Sequence, residues 1–352
     1  MKLFRKNIDP RCAYCQRGQQ ISETDVMCVK HGIVPVEHHC RGFHYDPLKR
    51  VPPRPASLDT AKLKEEDPQG CLFWQKEETM EIKRVCALYF SATGNTEKTV
   101  AAFAETLAEQ LGVPWERLPF TKPAERERDY MFADTDLVVV GTPTYAGKLP
   151  NKILPDLKAC LHGNGALAAA IVTFGNRSYD NALAELCAVL EGDGFYTVAG
   201  GAFVGRHAFT DKLAEDRPDW DDRKELKKFA TAIADKVKNL TENPAPVTVP
   251  GDPEAPYYIP KGTDGEPAKF LKAKPRTDPA KCTNCGACAR LCPMGAIDPK
   301  DVSSVPGTCI KCQACVRKCT KHAKYFDDPA FLSHVAMLEQ TFTEPKKNEV
   351  FL

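Results

Sequence analysis

Residues 282–292, CTNCGACARLC, and 309–319, CIKCQACVRKC, repeat one spacing of four cysteines, C-x2-C-x2-C-x3-C. Three thiols this close along the chain, followed by a fourth, make a soft ligand set for a metal. Where thiols are kept reduced, cysteines grouped in this way hold metal and do not pair with one another. Zinc also accepts four thiolates, but its sites are usually built from separated C-x2-C pairs. A triplet plus one, doubled, is the iron-sulfur spacing.

The doubled run resembles that of the bacterial two-cluster ferredoxins. The resemblance implies two 4Fe-4S clusters with crossed ligands. Cys282, Cys285, Cys288 and Cys319 would hold one, and Cys309, Cys312, Cys315 and Cys292 the other. It also implies a small α+β ferredoxin domain over 276–328, packed largely around its clusters. The chain departs from the pattern at Thr320, where the second run would carry proline after its last cysteine. That departure bears on the exposure and potential of the cluster Cys319 serves.

Moving outward, 352 residues are enough for two or three domains. A net charge of +1 and a pI near 7.5 call for neither nucleic acid nor a membrane surface. The opening MKLFRKNIDP has no apolar run behind it, and no stretch is long and apolar enough to span a bilayer. The expected location is the cytoplasm, with the clusters favouring an anaerobic or well-protected interior. The segment 276–326 carries nine Lys or Arg against three Asp, which suits an acidic redox partner protein even after the clusters' own negative charge is counted.

Residues 1–45 hold Cys12, Cys15, Cys28 and Cys40 among four histidines. One C-x2-C knuckle followed by Gly18, with two further thiols on a short hairpin, would close one tetrahedral zinc site. Three cysteines and one histidine, or rubredoxin-type iron on the same thiolates, are alternatives, as is simple packing of Cys28 as a small apolar residue. A segment this short has too little core to fold without a staple. Residues 46–81, rich in proline and charge and carrying the lone Cys71, read as a linker.

At 82 the character changes. VCALYF (85–90) is a buried-strand run, SATGNT follows at once, and Val100, Phe103, Ala104, Leu107 and Leu111 make a helical stripe that Gly112 stops. The loop places hydroxyls and bare N–H groups at a helix N-terminus, which suits a phosphate. It has neither a Walker lysine nor a G-x-G-x-x-G spacing, so a monophosphate held by neutral donors fits best. Two more buried runs, 136–140 and 167–174, lead into GTPTYAGKLP and GNRSYDNAL. All three loops leave the carboxyl ends of strands, where open parallel sheets bind ligands. A last strand over 195–204 and an amphipathic helix through Leu226 to Leu240 close the unit.

The three loops resemble the flavin-binding loops of flavodoxin-like domains. The resemblance implies an α/β doubly wound parallel sheet of order 2-1-3-4-5 over 82–240, with FMN bound noncovalently. Ser91, Thr93, Gly94, Asn95 and Thr96 would take the phosphate. Thr144, Tyr145, Ala146 and Gly147 would line the ring, with Tyr145 stacking on it, and Gly175, Asn176 and Tyr179 would meet its edge. Residues 241–275 are a proline-rich strap. A helical stripe through Phe331, Val335 and Leu338 then docks on one of the domains, and a polar, frayed tail closes 329–352. Together the parts resemble the bacterial fusion proteins called EFR-family ferredoxins over roughly 82–330; the N-terminal segment lies outside that likeness.

The expected function is intracellular electron transfer between FMN, the clusters and a redox partner. Two other readings stay open at this stage. One is a flavin-dependent reductase of a small substrate, with Tyr145, Arg177 or His207 as its acid or base. The other is a redox-sensing binding protein that uses the N-terminal metal module. Metal analysis of anaerobically reconstituted protein should find about eight irons, about eight sulfides and one zinc. Cys319→Ala should damage the cluster of Cys282, Cys285 and Cys288 and spare the one held by its own neighbours in sequence. An iron count near four would remove one of the two clusters.

Overall fold

The computed structural model describes residues 11–22, 24–46, 49 and 80–352. The chain divides into two units, Met1–Phe73 and Trp74–Leu352. Most of the expected linker, with Cys71, lies outside the described residues.

In the first unit a 3-10 turn, Cys12–Tyr14, precedes a three-stranded antiparallel sheet of β1 (Gly18–Gln20), β2 (Asp25–Cys28) and β3 (Gly32–Pro35). Gly18 is required there. A side-chain carbon would meet Val26 Cγ1 at 2.6 Å and the Cys12 carbonyl at 2.8 Å.

In the second unit, five strands form the parallel part of one sheet. They are β4 (Arg84–Tyr89), β5 (Trp115–Pro119), β7 (Asp136–Pro143), β9 (Leu167–Phe174) and β10 (Tyr196–Val204). The spatial order is β10-β9-β7-β4-β5, the expected 2-1-3-4-5 winding. A minor pair, β6 (Tyr130–Met131) with β8 (Leu161–His162), lies apart from it.

The period-2 alternation of a strand divides the core into two layers. Cys86, Leu88 and Phe90 face one layer, and Val85, Ala87 and Tyr89 the other. Helices α1 (Asn95–Leu111) and α4 (Trp220–Lys238) cover the second layer, through Val100, Phe103 and Leu107 and through Phe229 and Ile233. Helix α3 (Ala182–Gly192) and the shorter α2 (Leu154–Cys160) cover the first. α1 runs between two left-handed glycines, Gly94 (φ 102°) and Gly112 (φ 70°). It packs so close to β7 that a side chain at Gly141 would collide with Val100. α4 starts at a reciprocal capping box between Asp219 and Asp222.

The cluster-bearing segment closes on a two-stranded sheet of β11 (Arg276–Thr277) and β12 (Lys324–Tyr325). Between them lie α5 (Ala287–Arg290) and α6 (Ala314–Arg317). The segment sits in the same unit as the parallel sheet. Arg126 donates to the Pro293 carbonyl at 2.8 Å, and Arg317 spans several carbonyls of the loop after β10. α7 (Pro329–Thr341) buries Phe331, His334 and Leu338, much as its stripe predicts.

The tail is not frayed. β13 (Glu349–Phe351) adds an antiparallel sixth strand to the sheet, pairing with β10 from Gly200 to Ala202. Its register is set by side chains. Asn348 accepts from the buried Val204 N–H at 2.9 Å and donates to Asp222 and Glu225, while Tyr179 donates to Glu349 at 2.6 Å. Asn348→Ala orphans the Val204 N–H and should cost about 1–3 kcal/mol in urea unfolding. A change below about 0.5 kcal/mol would mean that the tail is held some other way.

Candidate functional site: a flavin-type cavity beside the cysteine repeat

Both cysteine runs bend the backbone in the same way. Asn284 and Lys311 (φ 51° and 57°), Gly286 and Gln313 (73° and 63°), and Gly295 and His322 (57° and 50°) are left-handed at equivalent places in the two repeats. The first and third of these pairs aim N–H groups at sulfur. Asn284 N and Lys311 N lie 3.4 Å from the sulfurs of Cys282 and Cys309, and Ala296 N and Ala323 N lie 3.3 Å from those of Cys292 and Cys319. Such bonds stabilise thiolates over thiols.

One of the two expected sets lines a common cavity. A small cavity of about 20 Å³, walled almost wholly by apolar atoms, is lined by Cys292, Cys309, Cys312 and Cys315 together. Cys312 and Cys315 are buried, and desolvation pushes the Cys315 thiol up to about 12 and Cys312 higher still. The other set is wetter: Cys285 is exposed, and Cys282, Cys288 and Cys319 are half-buried. Against its desolvation, N–H groups of Ala323, Lys321, Lys324 and His322 hold the Cys319 thiol below its usual range. The thiolate is supported where proline is missing.

No three His, Cys, Asp or Glu side chains among the described residues converge on a single-ion site. In the N-terminal unit the four thiols are neighbours without that convergence. Burial, then Cys28, Cys15 and Cys40, raise the Cys12 thiol. The Gly42 N–H lies 3.2 Å from Cys40 Sγ, and Cys28 ends β2 as a buried strand residue.

A far larger cavity, about 890 Å³, opens at the carboxyl edge of the sheet, within the range of small-molecule sites. From the first loop Thr93, Asn95 and Thr96 line it. Ser91 instead accepts from the Glu97 N–H at 3.0 Å, and Gly94 sits at the loop's outer turn, 3.6 Å in side-chain terms from the Lys318 ammonium. The second loop contributes Thr144, Tyr145, Ala146 and Gly147. Ala146 and Gly147 are left-handed (φ 48° and 78°), and the Thr144 hydroxyl is buried without a partner. Burial, and then Cys312 and Cys309, push the Tyr145 phenol well above its ordinary range. These features fit a flavin: a turn of left-handed residues lines a cavity of suitable size.

From the third loop only Gly175 lines the cavity as expected, joined by Arg177. The side chains of Asn176 and Tyr179 do not reach it. Asn176 donates to the carbonyls of Phe342 and Glu344 and accepts from the Lys346 N–H, while Tyr179 holds Glu349. Both serve the tail, because β13 occupies the edge of the sheet beside them.

The opposite wall comes from elsewhere in the chain. The strap crosses the second loop, where the Tyr258 N–H bonds the Ala146 carbonyl at 2.8 Å, and the segment 306–312 brings Cys309 and Cys312 to the same cavity. His207 packs against Gly175, and its Nδ1 accepts from the Phe209 N–H at 3.1 Å. Burial, then His334, Arg317 and Arg177, lower it to about 4. His334, also lowered by burial, bonds the Lys261 carbonyl through Nδ1. His334, Tyr257, Tyr258 and Phe270 escaped the sequence reading, since no local motif marks them.

A family described as the 4Fe-4S dicluster domain matches residues 274–328. That match covers the cysteine repeat, and the sheet before it has the 2-1-3-4-5 winding of a flavodoxin-like fold. Among solved structures it is similar to a flavodoxin from the domain Archaea, with 20% identity over 44% of this chain and 99% of that one and a TM-score of 0.32. A Streptococcus pneumonia TIGR4 flavodoxin is 22% identical over 44% and 99%, with a TM-score of 0.31. The rubredoxin oxygen:oxidoreductase of the anaerobe Desulfovibrio gigas is 21% identical over 45% of this chain and 37% of that one, with a TM-score of 0.33. No curated protein matches the sequence. No helix among the described residues is long and apolar enough to cross a membrane.

His207 supplies a pH test for this fusion. Its folded value near 4 lies below the ordinary 6.5, so the unfolded chain binds the proton first as pH falls. The associated stability is complete above about pH 6.5 and is lost towards pH 4, on the order of 3 kcal/mol in all. Thermal midpoints should therefore fall between pH 7 and pH 5, and fall less in His207→Gln. Parallel slopes in the two proteins would place the loss elsewhere.

Proposed function

We propose that the chain is an electron-transfer flavoprotein in which FMN and two 4Fe-4S clusters exchange electrons and pass them to or from a redox partner protein. The observation that carries the reading is the shared cavity: Tyr145 and its loop form one wall, and Cys309 and Cys312 the other. When bound, FMN takes or gives electrons singly or in pairs, whereas a 4Fe-4S cluster moves one at a time.

The chain's own residues would hold and insulate that exchange. Thr93, Asn95 and Thr96 offer neutral donors for the phosphate, and the loop Thr144 to Gly147 lines the ring's place. Tyr145 keeps its proton at any ordinary pH, and His207 stays neutral, so neither adds charge beside the ring. The strap covers the second loop and restricts water. Of the set Cys292, Cys309, Cys312 and Cys315, the last two are buried, and Cys309 and Cys312 line the cavity. The set Cys282, Cys285, Cys288 and Cys319, with Cys285 exposed, is suited to meet a partner. One zinc on Cys12, Cys15, Cys28 and Cys40 completes the proposed complement, supported by the proximity of these thiols. The plan is similar to that of the EFR-family fusion proteins, and an intracellular setting follows from clusters that oxygen would attack.

Rapid mixing of loaded protein with a reductant tests the reading. Electron exchange between flavin and clusters should be first order, with a rate independent of protein concentration and of salt, because both centres share one folded unit. A rate proportional to concentration that falls steeply with salt would show transfer between molecules and overturn it.

A further inference from the structure

We propose that Lys318, which belongs to the cluster-bearing segment, is the cation that completes the FMN phosphate site, so that flavin affinity depends on the docking of that segment. The proposal rests on the reading of residues 91–96 as a phosphate loop. Taken alone, that loop is neutral. It offers Thr93, Asn95 and Thr96, and part of even this set is spent: the Thr96 hydroxyl shares a 2.7 Å bond with Thr173, and the Asn95 amide donates to the Arg206 carbonyl at 3.1 Å. A phosphate monoester carries close to two negative charges, more than the partial charge of one helix N-terminus balances.

Three arginines near the cavity have ion-pair partners. Arg206 pairs with Asp211 and Glu215, Arg317 with Asp211, and Arg177 with Asp180 beneath the Tyr258 ring. Lys318 differs from them. Its ammonium has neither hydrogen bond nor ion pair among the described residues. It lies 3.6 Å from where a side-chain carbon on Gly94 would stand, over the left-handed residue that opens α1. It is also held in place from behind. The preceding residue, Arg317, donates to the carbonyls of His207 (2.8 Å), Ala208 (3.0 Å) and Thr210 (2.9 Å). The backbone that carries Lys318 is therefore anchored to the sheet-bearing part before any ligand arrives. A lysine whose backbone is fixed in advance has only its exposed side chain to order when it makes a charge-assisted bond. The absence of a lysine within the loop itself is then compensated by one supplied across the junction of the two parts.

The test compares FMN with riboflavin, which lacks the phosphate, on full-length, cluster-loaded protein at several salt concentrations. Fluorescence quenching gives both affinities for the wild type, Lys318→Gln and Lys318→Arg. Lys318→Gln should weaken FMN about tenfold and leave riboflavin unchanged, and Lys318→Arg should restore most of the loss. FMN affinity should fall with salt more steeply in the wild type than in Lys318→Gln. If the wild type prefers FMN while Lys318→Gln binds it as tightly, the role of Lys318 is overturned and the phosphate loop stands. If the wild type binds both flavins equally, the loop reading itself fails. Should Lys318→Gln lose iron, the wild type decides alone: a preference for FMN that does not change with salt overturns the proposal.

Discussion

The guanidinium of Arg317 joins the cysteine-repeat segment to the parallel-sheet part. It stands on a four-residue helix between Cys315 and Cys319, so its place is set by the cysteine repeat. Its fork of donors meets three carbonyls and one carboxylate in the loop that follows the last parallel strand. A planar, permanently charged group satisfies several carbonyls at once, which a lysine could not do in a fixed geometry. Because those carbonyls belong to His207, Ala208 and Thr210, the same contact settles the wall of the large cavity. It also carries Lys318 to the rim of the first loop and leaves Cys309 and Cys312 facing the second.

Burial is distributed unequally between the two thiol sets. Cys312 and Cys315 are deep, and the cost of charging them in isolation is large. Iron offsets that cost directly, since a metal-bound thiolate shares its charge. The other set keeps contact with water at Cys285 and relies on backbone N–H groups around Cys319. Thiols of one repeated spacing thus sit in different dielectric surroundings, which in the proposed two-cluster reading is one means of separating cluster potentials.

The strap and tail show how segments without their own core become ordered. Lys148 is buried, pairs with Glu185 at 3.1 Å and donates to the carbonyls of Pro253 and Ala255. A buried ammonium needs such partners, and the proline-rich segment provides them where a helix or strand could not. The tail is tied in the same manner, through Asn176, Tyr179 and Asn348.

What the sequence determined by itself was local. Apolar runs bounded by loops, the helical stripe from Val100 to Leu107, the glycines that bound it and the doubled cysteine spacing each place their information within a few residues, where strand and helix periods can express it. The strands, the first helix and the second loop's place at the cavity were legible for that reason, whereas the winding order was expected only from a family resemblance. Only the tertiary structure decided the rest. Glu349–Phe351 is too short, at the end of a polar tail, to announce a strand, and it becomes one because the edge of β10 offers unpaired backbone groups. Asn176 and Tyr179 look like site residues in sequence, yet they turn to the tail because that strand lies beside them. His207, His334 and Lys318 acquire their roles from neighbours more than one hundred residues away or on another element. No local period encodes such proximity; it arises when an anchored guanidinium and a buried ammonium fix which surfaces meet.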